Sequence, residues 1–358
     1  MLSVADAQHL FVGHLLVDSI QQKLRDLLLV FNRSLPIVKP LGWAPPHGGY
    51  APTVAKTTHS AISDQRNGDI VIYINGEYFS RDEARISVFD SGYLVGDGVW
   101  EGIRLHNGVF PFLDRHLDRL FHGLETASID IGMGHDDVAT LLQEVVDRNG
   151  MIDGVHVRIM VTRGDKKTPS QHPANLISGP NVVVIAEYKQ ADPEIRDRGI
   201  TLFTSSVRRP PSDTLDQRLN VHSKLHEVIA LIEATNAGAD EALMLDTTGA
   251  IATCNATNFF IVNNGELWTS TGDFNLPGIT RGAVLEVARE AGIPAHERRF
   301  FLDDVYAADE AFVTGTFGGL IPAIEVDGRV IGDGSPGPVT AHLRTLYEKL
   351  INRVSSDG

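Results

Sequence analysis

Three short stretches carry residue types that could do chemistry together. The first, SKLHEVIALIEA (Ser223–Ala234), holds Lys224 at the edge of an apolar helical stripe formed by Leu225, Val228, Ile229 and Ile232. That spacing predicts a buried stripe. An amine kept partly out of water has a lowered pKa and gains nucleophilic character. The same lysine could instead lay its stem over the core and keep its charge wet. The second stretch, LPGITRGAV (Leu276–Val284), reads as a turn opening into a helix. Free backbone N–H groups of Ile279 and Thr280, with the Thr280 hydroxyl, would suit a phosphate there. An ordinary Pro-Gly helix start has the same sequence. The third, VTGTFGGL (Val313–Leu320), is a glycine-rich loop with hydroxyls at Thr314 and Thr316, or a plain tight turn.

Two further groups are weaker candidates. In GVHVRIMVTRG the strand alternation puts His156, Arg158 and Met160 on one face. A buried strand arginine calls for an anion, either a substrate carboxylate or a structural ion-pair partner. His222 and His226 share a helix face at i, i+4 spacing and could hold a metal. There is no HExxH order and no obvious third ligand, so no metal is expected.

The elements that must position these groups follow from periodicity and turn chemistry. DIVIYINGEYF is a hairpin turning at Asn75-Gly76. A helix starts with Asp114 as N-cap, and another runs from His135 to Gly150. VHVRIMVTRG and NVVVIAEY are strands, and the charged segment Lys189–Gly199 reads as an interdomain linker. Then come the strand ITLFTSSV, the helix near Ser223, the strand EALMLD, and a hairpin turning at Asn264-Gly265. A helix ending at Gly292, the strand EAFVTGT, a hairpin at Asp327-Gly328 and a helix over 338–354 complete the chain. Strands and helices mix without regular βαβ alternation, so the class is α+β. Residues 1–33 show helical spacing, and 35–52 form an arm rich in Pro and Gly. The expected organisation is an extension over 1–68, a small α/β domain over 69–190 and a larger domain over 191–358.

Composition narrows the function. The formal net charge of −15 comes with no basic block, which argues against a nucleic-acid or anionic-membrane partner. No apolar run is long enough to span a bilayer. A single cysteine, Cys254, cannot form an internal disulfide and suits a reducing compartment. With no signal-peptide pattern, a cytoplasmic protein is expected.

Ordered blocks over roughly residues 69–333 resemble the class IV, fold-type IV pyridoxal-phosphate aminotransferases. They include GVWEGIRLHNG, FLDRHLDRL, GADEALMLDTTGAIATCNATNFFIVNNGELWTS, LPGITRG and DEAFVTGTFGGLIPAIEVDGRVIGDG. Branched-chain and D-amino-acid aminotransferases belong to this family. The resemblance implies two domains with a pseudo-barrel in the larger, pyridoxal phosphate in the cleft between them, and a homodimer. It implies that Arg119, Ile279, Thr280 and Thr316 hold the cofactor phosphate, and that Trp100, Arg158, Phe317 and Gly318 line the substrate side, with Glu101 a less certain neighbour. It implies transfer of an amino group between an amino acid, or another primary amine, and a 2-oxo acid.

Two positions depart from the family. A gapless alignment puts Asn220 where the Schiff-base lysine stands, with Lys224 one helical turn later; a small gap makes Lys224 the catalytic lysine. Thr253 replaces the glutamate that pairs with the pyridinium nitrogen, leaving Cys254 or Asn255 as alternative contacts. This raises elimination or lyase chemistry, or a cofactor-binding homologue without turnover, as rivals. The D-amino-acid enzymes' Arg-X-His carboxylate trap is replaced by Thr168 and Ser170, leaving Lys166, Lys167 and His172 as candidate substitutes.

Overall fold

The computed structural model describes Thr58 and residues 61–356. The helix and arm expected within the first 57 residues lie outside the described residues.

The described residues build two sheets. The first takes β1 (Val71–Ile74), β2 (Glu77–Ser80), β3 (Gly98–Leu105), β4 (Val155–Thr162) and β5 (Asn181–Tyr188), in the order β2-β1-β5-β4-β3, antiparallel throughout. The β1–β2 turn uses Asn75 and Gly76, both at positive φ, as the Asn-Gly hairpin predicts. A short helix, α1 (Ser91–Val95), leads into β3. Two 14-residue helices, α2 (Leu113–Thr126) and α3 (His135–Arg148), follow β3. Their Leu117, Leu120, Leu124, Val138, Leu142 and Val145 pack with Ile103, Val157 and Val184 of the sheet. The cap of α2 is Phe112, and Asp114 sits in the first turn, where a carboxylate still favours the helix dipole.

The segment read as a linker contains a helix, α4 (Pro193–Arg198), with Pro at its start and Asp192 accepting from Glu194 N–H as the cap. Part of the expected extension is also stitched to this junction. Ile62 N–H donates to the Gln190 carbonyl, and Asn67 brackets the Tyr188 backbone.

The second sheet begins at β6 (Ile200–Thr204) and continues through α5 (Leu225–Asn236), β7 (Glu241–Leu245), β8 (Ile251–Cys254), β9 (Asn258–Asn263) and β10 (Glu266–Thr269). Next come α6 (Ile279–Glu290), β11 (Ala295–Glu297), α7 (Leu302–Tyr306), β12 (Glu310–Gly315), β13 (Gly319–Val326), β14 (Arg329–Val330) and α8 (Pro338–Ser356). Strand order is β11-β10-β9-β12-β13-β6-β7-β8, with β14 on β13. Strands β6–β13, β6–β7 and β10–β11 run parallel and the other pairs antiparallel, so the sheet is mixed.

Helix α5 departs from expectation. Its apolar stripe faces outward: Leu225, Val228, Ile229 and Ile232 are 42–69% exposed. The buried face is small, with Ala230 and Ala234 against Ala242 and Met244. Alanines allow the helix to approach β7 closely, and the bulky residues are left on the other side.

Candidate active site

Strand β3 is the edge of the first sheet, and the segment before α5 completes it. Trp100 N–H donates to the Asn220 carbonyl at 2.9 Å, and His222 N–H donates to the Gly98 carbonyl at 2.9 Å. The indole N–H of Trp100 donates to the Val221 carbonyl at 3.1 Å. These bonds draw Lys224 from the second sheet's territory to the mouth of the first. A cavity of about 390 Å³ opens there, walled by both sheets and by the starts of α5 and α6. Ten of the site residues expected from sequence line it: Lys224, Arg119, Thr253, Asn255, Ile279, Thr280, Thr316, Trp100, Arg158 and Phe317. Gly318 borders two smaller neighbouring cavities, because its chain has turned toward Thr58 and Ile321.

One end of the cavity is rigidly built. On α2, Arg119 forks onto Glu101 of β3, Nε to Oε1 at 2.7 Å and Nη2 to Oε2 at 2.8 Å. His116 Nδ1 lies 2.7 Å from Glu101 Oε2. Burial alone would raise the Glu101 pKa, but the Arg119 charge and the His116 hydrogen bond bring it down to about 2. Alternation along β3 sends Glu101 to the side opposite Trp100, so it supports Arg119 and does not border the cavity. The remaining guanidinium nitrogen, Nη1, donates to the Pro277 carbonyl at 2.7 Å, tying Arg119 to the turn before α6. Gly278 caps α6 without a side-chain acceptor, so the first N–H groups of that helix remain available to an anion.

The amine end is arranged differently. Lys224 is the N-cap residue of α5, and its Nζ lies 3.5 Å from Glu227 Oε1 and 6.0 Å from the Trp100 ring centroid. Burial lowers the Lys224 pKa, the Glu227 carboxylate opposes that, and Arg209 and Arg119 add to the lowering. Glu227 is anchored by Arg209 Nη1 at 2.9 Å, with His226 Nδ1 3.0 Å from its other oxygen. Burial would raise its pKa; His226, Lys224 and Arg209 together take it to about 2. Asn220 is buried beside Lys224, and its side-chain oxygen has no hydrogen-bond partner among the described residues. Both residues that compete for the lysine position therefore line the cavity, and one of them carries an amine.

The remaining walls set the polarity. Arg158 lies 4.1 Å over the Trp100 ring, and Lys189 Nζ lies 4.7 Å over the Phe317 ring. Neither side chain forms a hydrogen bond or ion pair among the described residues. Arg158 is exposed, not the buried strand arginine its position suggested; partial desolvation lowers both pKa values and the Arg158 charge lowers that of Lys189 further, while the Glu187 carboxylate opposes both shifts. In the register of β3 and β4, Gly102 stands opposite Arg158, and a side chain at Gly102 would run into His156. Thr253 donates its hydroxyl proton to the Thr257 carbonyl at 2.8 Å, leaving only acceptor capacity. Asn255 Oδ1 accepts from Ala242 N–H at 2.9 Å. Cys254 is buried, and burial with the nearby Glu241 charge pushes its thiol pKa well above the ordinary value.

Cations dominate the lining: among the described residues Arg119, Arg158, Lys189, Arg209 and Lys224 face a single carboxylate, Glu227. The sequence reading missed Lys189, Arg209 and Glu227 as cavity residues. Glu227 was recoverable, since i, i+3 from Lys224 places it on the same helical edge. Lys189 and Arg209 arrive from irregular segments that carry no periodic signal. Lys166, Lys167 and His172 do not border the cavity. His222 points to the Val99 carbonyl while His226 meets Arg209 and Glu227, so the two imidazoles do not converge.

The family model for class IV amino-transferases matches residues 98–326. The chain is 38% identical over 286 residues to branched-chain-amino-acid aminotransferase-like protein 1 of Arabidopsis thaliana, covering 79% of this chain and 51% of that protein. It thus spans about half the length of that relative. It is 34% identical to the branched-chain-amino-acid aminotransferase of Pseudomonas aeruginosa, covering 79% of this chain and 94% of that protein. A solved T.th. branched-chain amino acid aminotransferase with pyridoxamine 5'-phosphate superposes with a TM-score of 0.75 at 31% identity, covering 80% of this chain and 95% of that one.

Proposed function

The chain belongs to the class IV aminotransferases, and on that premise we propose that it transfers an amino group from an amino acid or primary amine to a 2-oxo acid, with pyridoxal phosphate as cofactor and Lys224 as the catalytic lysine. The observation that carries this is the convergence of a partly desolvated amine, a carboxylate-braced arginine and an uncapped helix start on one cation-lined cavity.

The residues fit that cofactor. Arg119 and the α6 N-terminus can take its phosphate. The orphaned Asn220 and Thr314 oxygens are buried polar atoms that an occupant would satisfy. When bound, pyridoxal phosphate supplies an electrophilic carbonyl carbon and an electron-withdrawing ring.

The chain's own groups divide the work. Lys224 would hold the cofactor through its amine and, once free, would carry the proton at the donor's α-carbon. Burial shifts its pKa toward the neutral form this requires, and Glu227 positions it from one turn along α5. Trp100 and Phe317 wall the substrate space, and Arg158 and Lys189 present charge to carboxylates. Lys224 is preferred over Lys189 because it stands at the start of α5 beside its ion-pair partner Glu227, whereas Lys189 rests over the Phe317 ring.

A second function, elimination or lyase chemistry, draws support from Thr253. A neutral acceptor in place of the family glutamate leaves the ring a weaker electron sink. The proposal extends to two domains dividing at 190/191, each with its own sheet, and to a homodimer. The outward face of α5, with Tyr93 and Val95 exposed beside it, is an apolar surface of the kind a second copy would cover. Among the described residues no helix is long and apolar enough to cross a membrane, and a cytoplasmic setting belongs to the same proposal.

The test is a visible absorbance spectrum of the purified protein, followed by borohydride reduction and peptide mapping. A pyridoxyl adduct on Lys224 is expected. An adduct on Lys189, or cofactor binding with no lysine modified, would sink the assignment of Lys224.

A further inference from the structure

A second cavity, of about 290 Å³, shares Ile279, Thr280 and Thr316 with the first as a common wall. Three arginines from three elements line it: Arg104 of β3, Arg196 of α4 and Arg344 of α8. Arg196 is paired with Glu348, Nη1 to Oε1 at 3.2 Å. Arg344 donates from Nη2 to the Arg196 carbonyl at 3.4 Å, but its Nε is closed to solvent and has no hydrogen-bond partner among the described residues. The Arg104 side chain forms no hydrogen bond or ion pair among the described residues, and Arg104 and Arg196 also border an adjoining cavity of about 190 Å³.

The opposing charges are few. Glu348 is the sole carboxylate among the described residues of the lining, and Asp197 acts on Arg344 from nearby. Of the lining imidazoles, His116 is already bound to Glu101 and His106 lies 3.4 Å from Asp153. Burial lowers the Arg344 pKa, and the Arg196 charge lowers it further. Phe112, Leu320 and Ile351 supply apolar surface. Like charges gathered in a partly dry space repel unless an anion joins them. The guanidinium fork matches carboxylate and phosphate oxygens in pairs, and the volume admits more than a lone ion.

We propose that this cavity binds a small organic anion bearing carboxylate or phosphate groups, gripped by Arg104, Arg196 and Arg344, at a site separate from the one that takes the cofactor phosphate.

The test is calorimetric titration of the full chain, saturated with pyridoxal phosphate, using pyrophosphate and separately citrate. Saturable binding of either at one site per chain is expected, with the bound cofactor's absorbance retained; which probe binds more tightly separates the phosphate source from the carboxylate source. Arg344→Ala should weaken binding at least tenfold, about 1.4 kcal/mol, and Arg344→Lys less so. Failure of both probes to bind the wild-type chain overturns the proposal, whatever the variants do. So does affinity unchanged in Arg344→Ala and Arg196→Ala, or a probe that displaces the cofactor, which would place it in the first cavity.

Discussion

The two ends of the first cavity hold their cations in opposite ways. At the end beside the turn into α6, Arg119 is locked by a buried carboxylate on one side and a backbone carbonyl on the other. At the other end Arg158 and Lys189 rest on aromatic faces with no hydrogen-bonded anion of their own among the described residues. A charge with a dedicated partner is fixed before any ligand arrives, and its grip costs little ordering on binding. A charge without one waits for its anion and can accept several. The first arrangement suits a group that stays, the second a substrate that comes and goes.

The largest expected effect comes from the amine between them. Lys224→Ala should reduce donor half-reaction turnover by about a thousandfold or more, in line with the loss of a positioned proton carrier, while Lys189→Ala should not. Stopped-flow spectra of both variants decide this, and comparable losses in the two would erase the distinction drawn between the lysines.

Arg119→Ala tests the rigid end. It strips a buried carboxylate of its main partner, an effect of about 3–5 kcal/mol for such pairs. The melting midpoint should drop and cofactor affinity should fall together. A variant that melts normally and still retains cofactor would show that the pair does not brace the site.

Removal of the loosely held charges should act more gently. Arg158→Ala and Lys189→Ala should each raise KM for a 2-oxo acid by about ten- to a hundredfold, the range for a charged hydrogen bond, with kcat little changed. A fall in kcat at constant KM would move these residues from substrate binding to the chemical step.

The smallest expected effects are in pH dependence. The Glu227 carboxylate favours the charged form of Lys224, so Glu227→Gln should lower the Lys224 pKa again and shift the acid limb of the half-reaction to lower pH. A shift to higher pH contradicts the ion pair. Glu101 has a folded pKa of about 2 against an ordinary 4.5. Because it is depressed, its contribution to stability is fully present above about 4.5 and is lost as pH falls toward 2. Across that window the melting midpoint of the wild type should fall as pH drops, and that of Glu101→Gln should depend less on pH.

Much of this architecture is readable from residue order. The hairpins at Asn75-Gly76, Asn264-Gly265 and Asp327-Gly328 are marked by turn residues that tolerate positive φ, and all three form. The two helices expected after β3 form as α2 and α3. The α5 stripe misled because an apolar face says that something covers it, not that this chain does. Trp100 and Arg158 belong to regular strands, where alternation assigns a side. Lys189 and Arg209 enter the cavity from irregular backbone, whose course is set by tertiary contacts and leaves no period. Glu101 shows the limit of motif neighbourhood: one step along a strand from Trp100, it serves the opposite face.

Cys254 is the chain's one cysteine. Buried beside Thr253, with its thiol kept protonated, it should ignore maleimides and mild oxidants while the fold is intact. The wild-type chain is then a blank background for site-directed labelling. A cysteine introduced on the outer face of α5, at Ile229 for example, would be the one reactive thiol. Disulfide trapping or a paired fluorophore there would report directly on whether two chains meet along that helix.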